Sequence, residues 1–151
     1  MKATGGCQCE SVRYVFEGEP LMTYACHCRD CQRRTGSAFS EGILILADQI
    51  VLEGQMSSWQ RKSDTDVAKL RHSCASCGNI IYGTADNMTG LWLLQAGTLD
   101  DTSAVHPEMH MWIQSAQPWI TLPEGVPFWE TQADDLAEML QAAVGYRQSI
   151  T

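Results

Sequence analysis

The sequence has no long apolar run. Nothing in it approaches the roughly 18 apolar residues that a membrane span requires, so no membrane partner is expected. Its start, Met1-Lys2-Ala3-Thr4-Gly5-Gly6, has no apolar stretch behind the lysine, and no signal peptide is expected. Basic residues are scarce, ten against eighteen acidic ones, and they are scattered apart from Arg33-Arg34 and Arg61-Lys62. With a formal charge of −8, that thin basic footprint argues against binding to phosphate backbones, so no nucleic-acid partner is expected. There is no Ser-His-Asp order, phosphate loop, paired-carboxylate motif, internal repeat, low-complexity tract or dividing linker. What remains is a single cytoplasmic globular domain over residues 1–151, large enough for a sizeable core, in a compartment where thiols stay reduced.

Against these absences stand seven cysteines, none of them isolated: Cys7-Gln8-Cys9, Cys26-His27-Cys28-Arg29-Asp30-Cys31 and Cys74-Ala75-Ser76-Cys77. Where thiols are reduced, such clusters mean metal or catalysis, and an odd count cannot pair fully as disulfides. Metal binding requires thiolates, so seven of them holding two Zn²⁺ would move the formal charge to about −11. In a strand, residues i and i+2 share a face, so Cys7 and Cys9 are expected to converge on one ion. Cys74 and Cys77 have zinc-knuckle spacing, and Gly78 suits a tight turn that brings backbone N–H groups toward sulfur. Two plus two makes a closed, structural four-cysteine site, although spacing alone does not fix which sets pair.

Cys26, Cys28 and Cys31 are then a set of three, with His27 aimed at the opposite face of an extended segment. Three protein ligands with an open fourth position is the arrangement of catalytic zinc, and an exogenous thiol suits that position. The alternatives are a second structural site completed by a histidine or water, or oxidation to a disulfide. Arg33, Arg34, Gly36, Ser37 and Phe39 lie just beyond, and the arginines either grip substrate carboxylates or pair with surface acids. His72, His106 and His110 lack ligand spacing and read as structural, while Trp92, Trp112 and Trp119 read as core.

Apolar patterning predicts short strands over 11–16, 21–25, 42–46, 50–52, 67–74, 79–83, 91–97 and 109–113, in a mainly β, mainly antiparallel domain. Leu136, Met139, Leu140, Ala143 and Val144 fall on one helical stripe and predict a C-terminal helix over about 134–147. Thr131-Gln132-Ala133-Asp134 resembles a capping box for it. The helix would dock on the sheet or on a second copy in a homodimer.

The chain resembles the glutathione-dependent formaldehyde-activating enzymes (the GFA family, or centromere protein V/GFA-type zinc domain). The resemblance rests on Gly6-Cys7-Gln8-Cys9 with Val12-Arg13-Tyr14, the run Cys26 to Arg33, Gly36-Ser37-Ala38-Phe39, and Cys74 to Gly78. It continues through Gly97 to Asp101, Pro107 with His110-Met111-Trp112, and Pro118-Trp119, covering roughly Gly5 to Glu130 and leaving out the C-terminal helix. It implies a zinc-organised β-tent in which Cys7, Cys9, Cys74 and Cys77 hold a structural zinc and Cys26, Cys28 and Cys31 a catalytic one. The implied activity joins the cosubstrate glutathione to formaldehyde, giving S-hydroxymethylglutathione, a carbon–sulfur lyase reaction run in reverse. Arg33, Arg34, Ser37 and Phe39 would line the pocket for glutathione. A zinc-stabilised protein-binding module without chemistry is the alternative on the same fold. The sequence departs from the commoner pattern at Glu10, where glycine is usual, and at Gln32, where a basic residue is frequent.

Overall fold

Alternating burial builds the first sheet. In the computed structural model, which describes residues 1–61 and 67–150, Tyr14 and Phe16 point inward from strand β2 (Arg13–Glu17) while its other residues face solvent. β2 pairs antiparallel with β1 (Lys2–Gly6) on one side and with β5 (Ile50–Glu53) on the other. Gly5 is required here, because a Cβ at that position would lie 2.3 Å from both the Thr98 carbonyl oxygen and the Tyr14 hydroxyl. Lys62, half of one basic pair noted above, lies outside the described residues.

The chain divides into two compact units, Met1–Leu21 with Ile43–Ala104 and Met22–Gly42 with Val105–Thr151. The first unit contains that sheet and an antiparallel run of β6 (Met56–Arg61), β7 (Lys69–Cys74), β8 (Ile80–Ala85) and β9 (Leu91–Gln95). Val12, Tyr14, Phe16, Leu44, Ile81 and Leu94 are among its buried side chains. β1 and β2 make one hairpin and β7 and β8 another; the first carries Cys7 and Cys9 in its connecting loop, the second Cys74 at the end of β7 and Cys77 in the loop.

In the second unit, β3 (Met22–Cys26), β10 (His110–Met111) and β11 (Phe128–Trp129) pair in parallel, with His110 opposite Ala25 and Met111 opposite Cys26. Helix α1 (Arg29–Thr35) follows β3 directly, and α2 (Leu136–Ser149) packs against β3. Met139 and Ala143 are the buried part of the predicted stripe, while Val144 is exposed at its edge. β4 (Ser40–Leu46) runs across the division between the units.

The fold is mainly β, with eleven strands in two sheets among the described residues, as patterning predicts. Several expectations are corrected. The strand over 109–113 shrinks to two residues because Trp112 adopts a left-handed φ of 61° and Ile113–Ser115 coils into a 3-10 turn. It pairs in parallel, which no local pattern reveals. The strand over 91–97 stops at Gln95, where Ala96–Thr98 turns. Asp135, not a box over 131–134, caps α2 by accepting from the Ala137 amide at 2.8 Å. Trp119 is 70% exposed and belongs to no core. β1, β6, β11 and α1 have too few patterned residues to be predicted. No helix among the described residues is long and apolar enough to cross a membrane.

One ion pair fixes α2 in its unit. Glu108 is 4% exposed, and its carboxylate accepts from the Thr23 amide at 2.9 Å and from two nitrogens of the Arg147 guanidinium on α2. Removing the cation strands a buried carboxylate, which costs more than the pair itself contributes. Arg147→Ala is expected to destabilise the protein by about 2–3 kcal/mol, a fall of roughly 5–10 °C in Tm by circular dichroism. Arg147→Lys, which keeps the charge without the fork, is expected to lose less.

Candidate metal centre

In the first unit, the Sγ atoms of Cys7, Cys9, Cys74 and Cys77 all lie within 4.8 Å of one another. Cys7 and Cys9 are 3.5 Å apart and Cys9 and Cys74 3.8 Å, across 65 positions of sequence. Tetrahedral sulfurs bonded at about 2.3 Å to one zinc stand about 3.8 Å apart, so the donor set fits that ion. The convergence is as expected, but the strand-face reason for it is not. β1 ends at Gly6, and Cys7 to Glu10 is a turn closed by the Glu10 amide on the Cys7 carbonyl at 3.1 Å. Cys7 is buried and Cys9 exposed.

The loops present N–H groups to these sulfurs. The Val12 amide reaches Cys7 Sγ at 3.2 Å and the Ser76 amide reaches Cys74 Sγ at 3.4 Å. Gly78, at φ 74°, lets its own amide return to the Cys74 carbonyl at 2.9 Å, so the glycine serves the tight turn its position suggests. Hydrogen bonds from the Ser11 hydroxyl and amide, then from Cys7 and Cys77, bring the Cys9 thiol down to about 6. A thiol that ionises near neutral pH is prepared to ligate metal.

In the second unit, Cys26 ends β3, Cys28 is the N-cap of α1, and Cys31 sits in the first turn of that helix. The Cys28 sulfur accepts the Cys31 amide at 3.4 Å, and the three sulfurs lie within 4.8 Å of one another. A helix, rather than a bare CxxC turn, folds Cys31 back. Hydrogen bonds that the Cys26 thiol donates to Cys28 and Cys31, together with burial, push it up strongly. Three thiols in so small a space resist ionising together, and a cation reverses that balance.

Among the described residues, no histidine, aspartate or glutamate joins either thiol set. His27 is fully buried and turned elsewhere: its Nε2 meets His110 Nδ1 at 2.9 Å, and the two rings stack with centroids 5.2 Å apart. Burial pushes both imidazoles down, His110 to about 4. At that contact one ring nitrogen donates and the other accepts, and burial disfavours a charge on either ring. His110 keeps the structural role expected of it, but its partner lies 83 positions away, where no spacing signal reaches.

The four predicted pocket residues separate. Arg34 donates from Nη2 to Ser40 Oγ at 2.6 Å and lies 3.8 Å from Cys31 Sγ, so its charge stands beside the three-thiol set. Phe39 places its ring 5.3 Å from that of His27. Arg33 and Ser37 are exposed. Sequence reasoning missed Gln32, which is buried under the loop and bonded to the His27 carbonyl at 2.7 Å.

Glu10 holds a left-handed φ of 64°, where a side chain costs about 1–2 kcal/mol. Allowing for the greater chain entropy of glycine, Glu10→Gly is expected to stabilise by about 0.5–1 kcal/mol, read as a rise in Tm of about 2–3 °C. An unchanged Tm would show that the Glu10 side chain offsets its own strain.

Comparison with known proteins agrees with this architecture. The profile described as glutathione-dependent formaldehyde-activating enzyme matches residues 2–115, well over half of the chain, which leaves Pro118-Trp119 and α2 outside it. A Rhodobacter sphaeroides protein of known crystal structure is similar at a TM-score of 0.51 and 19% identity, over 69% of this chain and 91% of that one. At that identity the likeness speaks for the fold.

Proposed function

The chain belongs to the glutathione-dependent formaldehyde-activating enzyme family, and on that premise we propose that it joins a glutathione-type thiol to a small aldehyde at the three-cysteine set. The observation that carries this reading is the inequality of the two thiol sets. One has four sulfurs and closes on itself; the other has three, and among the described residues no histidine, cysteine, aspartate or glutamate supplies a fourth donor. A binding module needs only the closed set.

Cys7, Cys9, Cys74 and Cys77 would hold a structural zinc, and Cys26, Cys28 and Cys31 a second zinc. The second zinc, when bound, supplies a Lewis acid that keeps a neighbouring thiol in its nucleophilic thiolate form. The chain's own residues do the rest. Three thiolates around a dication would leave one net negative charge, which the Arg34 guanidinium beside Cys31 would offset. Arg33, exposed one position earlier, is available to the carboxylates of a glutathione-like substrate, with Ser37 and Phe39 lining the approach.

The substrate thiolate attacks the carbonyl carbon of the aldehyde. A carbon–sulfur bond forms, the carbonyl π pair moves to oxygen, and that oxygen takes the proton the thiol gave up. With formaldehyde the product is S-hydroxymethylglutathione, and the reverse reaction is a carbon–sulfur lyase step.

Purified protein is expected to carry two zinc ions per chain. Cys28→Ser is expected to lose one of them, to keep its far-ultraviolet circular dichroism, and to lose activity by at least ~100-fold, in line with removal of a Lewis acid worth several kcal/mol. Calorimetry is expected to register glutathione binding to the two-zinc protein, and carbon-13 NMR to detect the hemithioacetal. A two-zinc protein that releases no heat with glutathione would sink the formaldehyde assignment and leave a zinc-stabilised binding module.

A further inference from the structure

Gln32 is 8% exposed, and its amide uses every hydrogen-bonding position it has. Nε2 donates to the His27 carbonyl at 2.7 Å and to the Ser115 carbonyl at 2.9 Å. Oε1 accepts from Arg29 Nη1 at 3.1 Å and from Gln117 Nε2 at 2.9 Å. The orientation of the amide is determined by its partners, since carbonyls only accept and a guanidinium only donates. No other side chain of this size satisfies two acceptors and two donors from one planar group. A carboxylate loses both donors, and a lysine loses both acceptors.

What this node holds is the backbone between two thiols. His27 separates Cys26 from Cys28, and its amide donates to the Met111 carbonyl at 2.9 Å while its own carbonyl is held by Gln32. Its ring lies between His110 and Phe39. The residue is thus fixed at its amide, carbonyl and ring, and Gln32 extends the restraint to the Ser115–Gln117 segment. Buried polar groups of this kind rigidify when every member is satisfied and penalise the site when one is left over.

We propose that Gln32 is the positioning residue of the three-cysteine site: by holding the His27 carbonyl it fixes the loop that sets the mutual placement of Cys26, Cys28 and Cys31. The proposal rests on the two-metal reading above and concerns metal geometry, not turnover. Outer partners of metal ligands typically change affinity by roughly ten- to a hundred-fold when removed.

The test uses Co²⁺ as the probe, added to metal-free full-length protein and followed by the thiolate charge-transfer and d–d bands. Wild type is expected to take up two equivalents with two distinguishable spectra. Gln32→Met and Gln32→Glu are expected to weaken the second equivalent by roughly ten- to a hundred-fold and to shift its d–d bands, with the first equivalent unchanged. Gln117→Ala removes one partner from outside the cysteine motif, and keeps the question answerable where a Gln32 variant fails to fold; it is expected to shift the same bands by a smaller amount. A second equivalent whose affinity stays within two-fold of wild type and whose bands do not move, in the folded variants, overturns the role of Gln32 alone. Wild type that takes up only one equivalent overturns the two-metal reading together with it.

Discussion

Four sulfur atoms within 4.8 Å of one another cannot all be charged unless a cation sits among them. That constraint governs the first unit. The β1–β2 hairpin and the β7–β8 hairpin each bring one pair of thiols to their turn end, and the loops there are tied by the Gln8 amide on the Asn79 side chain at 3.1 Å. Much else follows from keeping those loops in place: Gly5 without a side chain, Glu10 and Gly78 in left-handed turns, amides aimed at sulfur. A metal at such a site contributes to folding free energy directly, because the unfolded chain has no preformed site.

The second unit answers a different requirement. Its three thiols come from a strand end, a helix cap and a first helical turn, and the histidine between the first two is withdrawn into a buried pair with His110. With His27 so placed, the set among the described residues has three members. An exposed imidazole in the same loop would have been a ready fourth ligand and would have closed the site.

Cysteine spacing made both thiol sets legible in the sequence, because ligand chemistry restricts which residues and intervals work. Most strand positions were legible too, since burial on one face imposes period two, as at Tyr14 and Phe16. The strand-face account of Cys7 and Cys9 failed because a turn can converge side chains as well as a strand can. The seven-residue α1 had no apolar stripe to announce it, and its N-cap is a cysteine, outside the usual capping residues. The His27–His110 pair and the Gln32 node join residues more than eighty positions apart, where no local pattern carries information. Trp119 shows the converse: a large apolar residue read as core lies on the surface.

The four-cysteine centre has an inside and an outside. Cys7 and Cys74 are buried and Cys9 and Cys77 exposed, one of each kind per hairpin. Departure of a bound ion would therefore be a matter of rates and of order. An oxidant would meet Cys9 and Cys77 first, and Cys7 and Cys74 could still hold a bound ion from beneath. Each hairpin would keep one protected sulfur through such an intermediate, so rebinding would compete with full release, and a bound ion would leave more slowly than from an equally strong site with four solvent-facing thiols.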